Sequence, residues 1–246
     1  MGCDSLPPVF PLLLILMHKL LEIDQTLTLA LNGSHSLFAD SLAVTATQTT
    51  IWIPLVLVLL YLLIRNNDLT GIFGTVLALA LCILIADQTA SGIFKPLVCR
   101  YRPTQDPHIM YLLDVVNGYR GGRYGFFSSH AANTMAIATF LALMVRHRTL
   151  TVWLFSWALL NCWTRIYLGV HYFGDLLVGT VWGIFTGWAI YKLWWRYCPG
   201  IKARTGRNAA RSNFTAGGYS IGSVRLLISG LAVTYLYIVI SSFFRC

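Results

Sequence analysis

Six apolar stretches, near residues 42–64, 71–94, 129–146, 150–167, 175–195 and 224–244, limit what this chain can fold into. Each approaches the roughly 20 residues that carry an α-helix across a bilayer. In hydrocarbon every backbone N–H and C=O must find its partner inside the protein, so such stretches predict helices. Composition agrees: 57% of the 246 residues are apolar and 11% charged, against about 25% charged in a soluble domain. A water-soluble fold and a disordered chain are excluded on that count. The fold class is therefore all-α, a polytopic transmembrane helical bundle of about six spans.

Polar Thr45, Thr47, Gln48, Thr49 and Thr50 crowd the first half of the 42–64 run and blur its start. The Arg146-His147-Arg148 turn is so short that the runs on either side of it must be antiparallel neighbours. Ahead of the first run, Leu20, Ile23, Leu27 and Leu31 fall near helical spacing, which predicts an N-terminal amphipathic helix over 19–31 lying at the interface. A distorted first span is the alternative. No basic segment precedes Leu12–Met17, so a cleaved signal peptide fits poorly. The chain thus divides into an N-terminal segment (1–40), a membrane domain (41–195), a basic connector rich in Gly, Ser, Asn and Arg (196–223), and an additional C-terminal span (224–246).

Lys and Arg total 18 against 9 Asp and Glu, a net charge of +9. In a membrane protein this reads as positive-inside bias and contact with anionic lipid, not as nucleic-acid binding. Alternation of spans puts Arg65, Arg146, Arg148, Arg196, Lys202, Arg204, Arg207 and Arg211 on one side, taken as cytoplasmic. The opposite side holds loop 95–128, the 168–174 connection and Arg245, with Lys95, Arg100, Arg102, Arg120 and Arg123 in the first of these. Five cations on the wrong side call for a reason other than topology. The six cysteines form no CxxC pair and no zinc spacing, and there is no P-loop, GxGxxG or HExxH.

That reason lies in three polar clusters at the ends of spans on the outer side: Lys95 to Pro103, Phe127 to Ala131, and Thr164 to Asp175. Lys95, Arg102 and Arg165 supply three cations, two of them able to grip an oxyanion bidentately. Ser128 and Ser129 open a helix, whose free N–H groups favour an anion. His171 and Asp175 are four apart, one helical turn, so the carboxylate can fix the imidazole tautomer. His130, on another helix, is placed to protonate a leaving oxygen. Asp87, about two turns below Lys95, is expected either to pair with a site cation from behind or to hold a structural hydrogen bond. The Gly-rich stretch Asn117–Phe126 carries Arg120 and Arg123 as a candidate head-group loop, and Arg100 reads as an anchor or loop contact.

These clusters resemble the three motifs of the type 2 phosphatidic acid phosphatase (PAP2) superfamily: KxxxxxxRP, PSGH and SRxxxxxHxxxD. The first is complete in Lys95, Arg102 and Pro103; the third has Thr164 in place of Ser; the second has Phe127 for Pro and Ser129 for Gly. The resemblance implies a metal-independent lipid phosphatase without cofactors. By the family's mechanism His171 is the nucleophile forming a phosphohistidine, Asp175 orients it, and His130 protonates the leaving group. Lys95, Arg102, Ser128, Ser129 and Arg165 hold the phosphoryl oxygens. The SSHAAN form of the second motif, the YRGGRYGF run and the NGSHS segment are similar to bacterial lipid A and undecaprenyl-diphosphate phosphatases. The implied substrate is a lipid A phosphate (1- or 4'-) at the periplasmic face of the inner membrane. Undecaprenyl diphosphate, phosphatidate and phosphatidylglycerol phosphate are alternative substrates. A phosphotransferase and a non-catalytic lipid-binding protein are alternatives of other classes, and a vanadium haloperoxidase is excluded by the composition.

Overall fold

The computed structural model describes residues 9–198, 205 and 211–245. Cys3, Pro7, Pro8, Lys202, Arg204, Arg207 and Cys246 lie outside the described residues. The helices are α1 (Val9–Leu31), α2 (Leu37–Ala46), α3 (Ile53–Asn66), α4 (Leu69–Asp87), the short α5 (Lys95–Val98), α6 (Ser129–Val145), α7 (Arg148–Tyr167), α8 (Phe173–Tyr197) and α9 (Ile221–Phe243). A π-helical stretch, Gln88–Phe94, joins α4 to α5 without a break. Side-chain caps mark the starts: Ser36 on α2, Asp68 on α4, Ser128 on α6 and His147 on α7.

Four helical segments are long and apolar enough to cross a membrane: Thr49–Asn66, Leu69–Val98, Phe173–Tyr197 and Ile221–Phe243. The expected 42–64 span is two helices. The polar 47–50 stretch breaks it, a 3₁₀ turn follows over Thr49–Trp52, and Pro54 opens α3. At 17 residues α6 falls just short of these four segments, and it lies at the centre of the bundle. Ala131, Ala132, Met135, Ala136, Phe140 and Leu141 along it are all buried. Around it, large apolar side chains turn outward, among them Val56 on α3, Phe73 on α4, Val181 on α8 and Val233 on α9. This is the exposure pattern of a membrane protein.

The closest packing joins α6 to α8. Gly179, Gly183 and Gly187 follow one another at four-residue intervals on α8 and face α6. A methyl at Gly179 would sit 2.6 Å from the Ser128 carbonyl oxygen, and methyls at Gly183 and Gly187 would overlap those of Ala132 and Ala136. Small residues let two backbones touch where no hydrophobic drive from water is available.

The N-terminal helix is one continuous element and starts ten residues before the expected Lys19. Its apolar Leu20, Ile23, Leu27 and Leu31 are exposed, whereas Thr28 is buried and Asp24 partly so. The polar side is thus the one that packs on protein, which suits a helix whose other face meets lipid. The described part of the basic connector is not loose. Residues 211–220 form a turn held by Thr215 N–H to the Tyr219 carbonyl at 2.8 Å, with Tyr219 fully buried. Ser220 N–H donates to Asn66 Oδ1 at 2.7 Å, tying the end of α3 to the start of α9.

Candidate active site

Each of the three polar clusters is delivered to the same end of the bundle by a different local device. The first begins on the long α4–α5 span. Asp87, Ser91 and Lys95 follow at four-residue steps, and Lys95 Nζ donates to Ser91 Oγ at 3.0 Å while Ser91 Oγ donates to Asp87 Oδ1 at 3.4 Å. Asp87 therefore reaches the site cation through Ser91, not by a direct ion pair. Beyond α5, Cys99 takes a left-handed conformation that ends the helix, and the chain runs extended. Arg102 N–H donates to the Arg123 carbonyl at 3.1 Å and Gly125 N–H to that of Arg100 at 2.9 Å. In extended backbone alternate side chains share a side, so Arg100 and Arg102 both point inward and Tyr101 outward.

The second cluster is the start of α6. Ser128 Oγ accepts from Ala131 N–H at 3.4 Å, which leaves the N–H groups of Ser129 and His130 without an intrahelical acceptor. Lys95 Nζ donates to Ser129 Oγ at 3.3 Å, and Ser128 N–H donates to the Asp175 carbonyl at 3.1 Å. The His130 ring is exposed, within electrostatic reach of Arg165, His171, Lys95 and Arg102. Both histidines therefore serve one pocket.

The third cluster joins α7 to α8. Arg165 is 3% exposed; its Nε donates to Thr164 Oγ1 at 3.2 Å, and its Nη2 is buried with no partner. An unpaired guanidinium nitrogen is costly when buried, and an oxyanion in the pocket would satisfy it. His171 is 1% exposed. Arg102 Nη1 lies 3.3 Å from His171 Nε2 and 3.1 Å from the Val170 carbonyl. On the far side of the ring, Nδ1 is 3.6 Å from Asp175 Oδ2. That is too long for a hydrogen bond, so the attraction is coulombic at this separation. A guanidinium can only donate, so Nε2 must carry the lone pair and Nδ1 the proton. Burial pushes the His171 imidazole down to about 4, against the pull of Asp175. Burial likewise lowers Arg102, which stays charged.

A model of the PAP2 superfamily matches residues 69–198. A lipid A 4'-phosphatase of Bacteroides thetaiotaomicron is 42% identical over 69% of this chain and 76% of its own length. A second lipid A 4'-phosphatase, of Porphyromonas gingivalis, is 32% identical over 72% and 75%. The chain belongs to the PAP2 superfamily. It is a phosphatase of that type. No solved structure matches it.

Lys95, Arg102, Ser128, Ser129, His130, Arg165, His171 and Asp175 converge at one end of the bundle, with Asp87 one hydroxyl behind. Arg120 and Arg123 do not join them. Arg120 Nη1 donates to the Thr104 carbonyl at 2.8 Å, and Arg123 lies over the Tyr101 and Tyr124 rings at 5.3 and 5.4 Å, fully exposed. Gly121, at φ +65°, and Gly125 let this PAP2 loop close on the motif. A methyl on Gly121 would lie 3.1 Å from Arg102 Nη1, and one on Gly125 3.1 Å from Asp175 Oδ2.

Of the two expectations for Arg100, anchor or loop contact, the structure shows a contact, and one made at the site. Arg100 Nη1 donates to Asp175 Oδ1 at 3.1 Å and its Nη2 to Asp24 Oδ2 at 2.7 Å. Its two-residue spacing from Arg102 in an extended stretch was a usable signal. Asp24 and Thr28 of α1 were missed altogether. They accept from Gly174 N–H at 2.7 Å and Phe173 N–H at 3.1 Å, capping the α8 start from another helix. Tyr119, from the Gly-rich loop, is close enough to Arg102 and Arg165 to interact with both.

Proposed function

We propose that the protein removes the 4'-phosphate of lipid A at the periplasmic face of the inner membrane, through a phosphohistidine on His171. The observation that carries this reading is His171 Nε2 lying 3.3 Å from Arg102 Nη1, in a site where the Arg165 Nη2 is buried without a partner. Such a pocket fits a tetrahedral dianion. Nε2 attacks phosphorus; the bond to the sugar oxygen breaks, and His130 gives that oxygen a proton. Lys95, Arg102 and Arg165, with the Ser129 and His130 N–H groups, offset charge on the three spectator oxygens. Water then attacks phosphorus and gives a proton to His130, the phosphorus–nitrogen bond breaks with its electron pair returning to Nε2, and inorganic phosphate leaves. The names of both relatives support lipid A and the 4' position. Arg65, Arg146, Arg148, Arg196 and Arg211, set toward the opposite end, support that end as cytoplasmic.

The test uses purified protein in detergent with lipid A, undecaprenyl diphosphate and phosphatidate, and mass spectrometry to locate the phosphate lost. Lipid A is expected to lose the 4'-phosphate, with vanadate inhibiting. His171→Ala is expected to lower turnover at least about 10³-fold. Undiminished turnover in His171→Ala would discard the phosphohistidine. Preference for another lipid would discard the substrate.

A further inference from the structure

We infer that Arg100 and Asp24 are positioning residues for this reaction, holding the Asp175 carboxylate so that His171 keeps its proton on Nδ1 and its lone pair on Nε2. The inference rests on the proposed function for its catalytic meaning. Asp175 is fully buried, and each of its oxygens has an assigned neighbour. Oδ2 accepts from Tyr172 N–H at 3.1 Å and faces His171 Nδ1. Oδ1 accepts from Arg100 Nη1. The carboxylate cannot rotate toward or away from the imidazole without losing one of these bonds.

Arg100 is itself fixed on three sides. Its second nitrogen is bonded to Asp24, its plane lies over the Tyr172 ring with the centroid 3.9 Å from Cζ, and its side chain is 21% exposed. The ring is anchored in turn, since the Tyr172 hydroxyl donates to Asp106 Oδ2 at 2.7 Å. Asp24 is held by the Gly174 N–H at the start of α8, where an anion is favoured. One guanidinium fork thus spans two carboxylates and stacks on an aromatic face. A lysine ammonium, a point charge, cannot do all three.

The arrangement also sets charge. The ionisable groups facing His171 are Asp175 from α8, Arg102 from the extended segment, Lys95 from the α4–α5 span and His130 from α6. Arg100 and Asp24 act on the ring through Asp175. Arg100 partly neutralises that carboxylate, and Asp24 draws off part of Arg100. Their removal has opposite effects. Without Arg100, Asp175 is uncompensated and holds a proton on the imidazole more strongly. Without the Asp24 charge, Arg100 is left wholly to Asp175 and the pull weakens.

Histidine-selective NMR titration of the full chain in detergent tests this, with the His171 signal identified by its loss in His171→Ala. The Arg100→Gln variant is expected to titrate about one pH unit above wild type, and the isosteric Asp24→Asn variant below it. In turnover assays both are expected to lose about 10- to 100-fold in kcat with little change in KM, and Arg100→Lys to recover only part of that loss. Loosened packing alone would not move the titration in two directions. Shifts absent or of the same sign overturn the inference. If wild type fails to turn over lipid A while the opposite shifts are seen, the substrate reading falls and the positioning role stands.

Discussion

A histidine kept neutral by burial ties the fold to pH. His171 holds its folded value at about 4, below the roughly 6.5 of an unfolded chain. Below 6.5 the unfolded state binds this proton and the folded state does not. The contribution of His171 to stability is therefore complete above 6.5 and is lost as pH falls through about 4. Thermal unfolding in detergent is expected to show Tm dropping over that window, with a shallower drop for His171→Gln; an unchanged slope in the variant would count against a neutral buried ring. At this scale the sequence was most legible where chemistry repeats a spacing. His171 and Asp175 sit one turn apart, and Lys95, Arg102 and Pro103 fall in one run. Arg100 was obscured because a lone arginine at a span end usually anchors at the interface. Asp24 was obscured because its partner Gly174 is 150 residues away, and no local pattern encodes such a pair.

In the proposed mechanism α6 carries His130 and α8 carries Asp175, so the separation of the two helices is a functional quantity. Gly183 faces the Ala132 carbonyl, a backbone atom that cannot swing aside. Gly183→Ala is expected to destabilise by about 1–3 kcal/mol and to lower activity with it. Gly230→Ala on α9, where the nearest atoms are 3.7 Å away and belong to side chains, is expected to change neither by much. Comparing Tm and turnover of the two variants checks this; equal effects would remove the α6–α8 contact as the cause. Runs of apolar residues located most helices to within a few positions. They did not show the break at Thr47–Trp52, because hydropathy averages over a turn, nor the π-helical stretch, which has no sequence signature of its own. They placed the start of α1 ten residues late, at Lys19 rather than Val9, and gave no sign that its polar side, with Thr28, is the one that packs on protein.

Across the whole molecule, the described loops collect at two ends. Lys95 meets Ser129 and Arg102 meets His171 at one, while Asn66 meets Ser220 at the other. Exposed Cys99 lies at the first end and half-buried Cys198 beside Gly74 near the second. A membrane-impermeant maleimide is expected to label a variant retaining only Cys99 in intact spheroplasts; labelling only after lysis would reverse the proposed orientation. The clasp between α1 and the start of α8 has a temporal meaning as well. Asp24 emerges from the ribosome long before Arg100, and Arg100 long before Asp175. The early helix must wait in the bilayer with its carboxylate unmatched until later spans arrive. A half-translated chain already has Lys95, Arg100 and Arg102, but it has not yet made His171 or Asp175. Hydrolysis is thereby withheld until threading of the protein through the membrane is nearly finished.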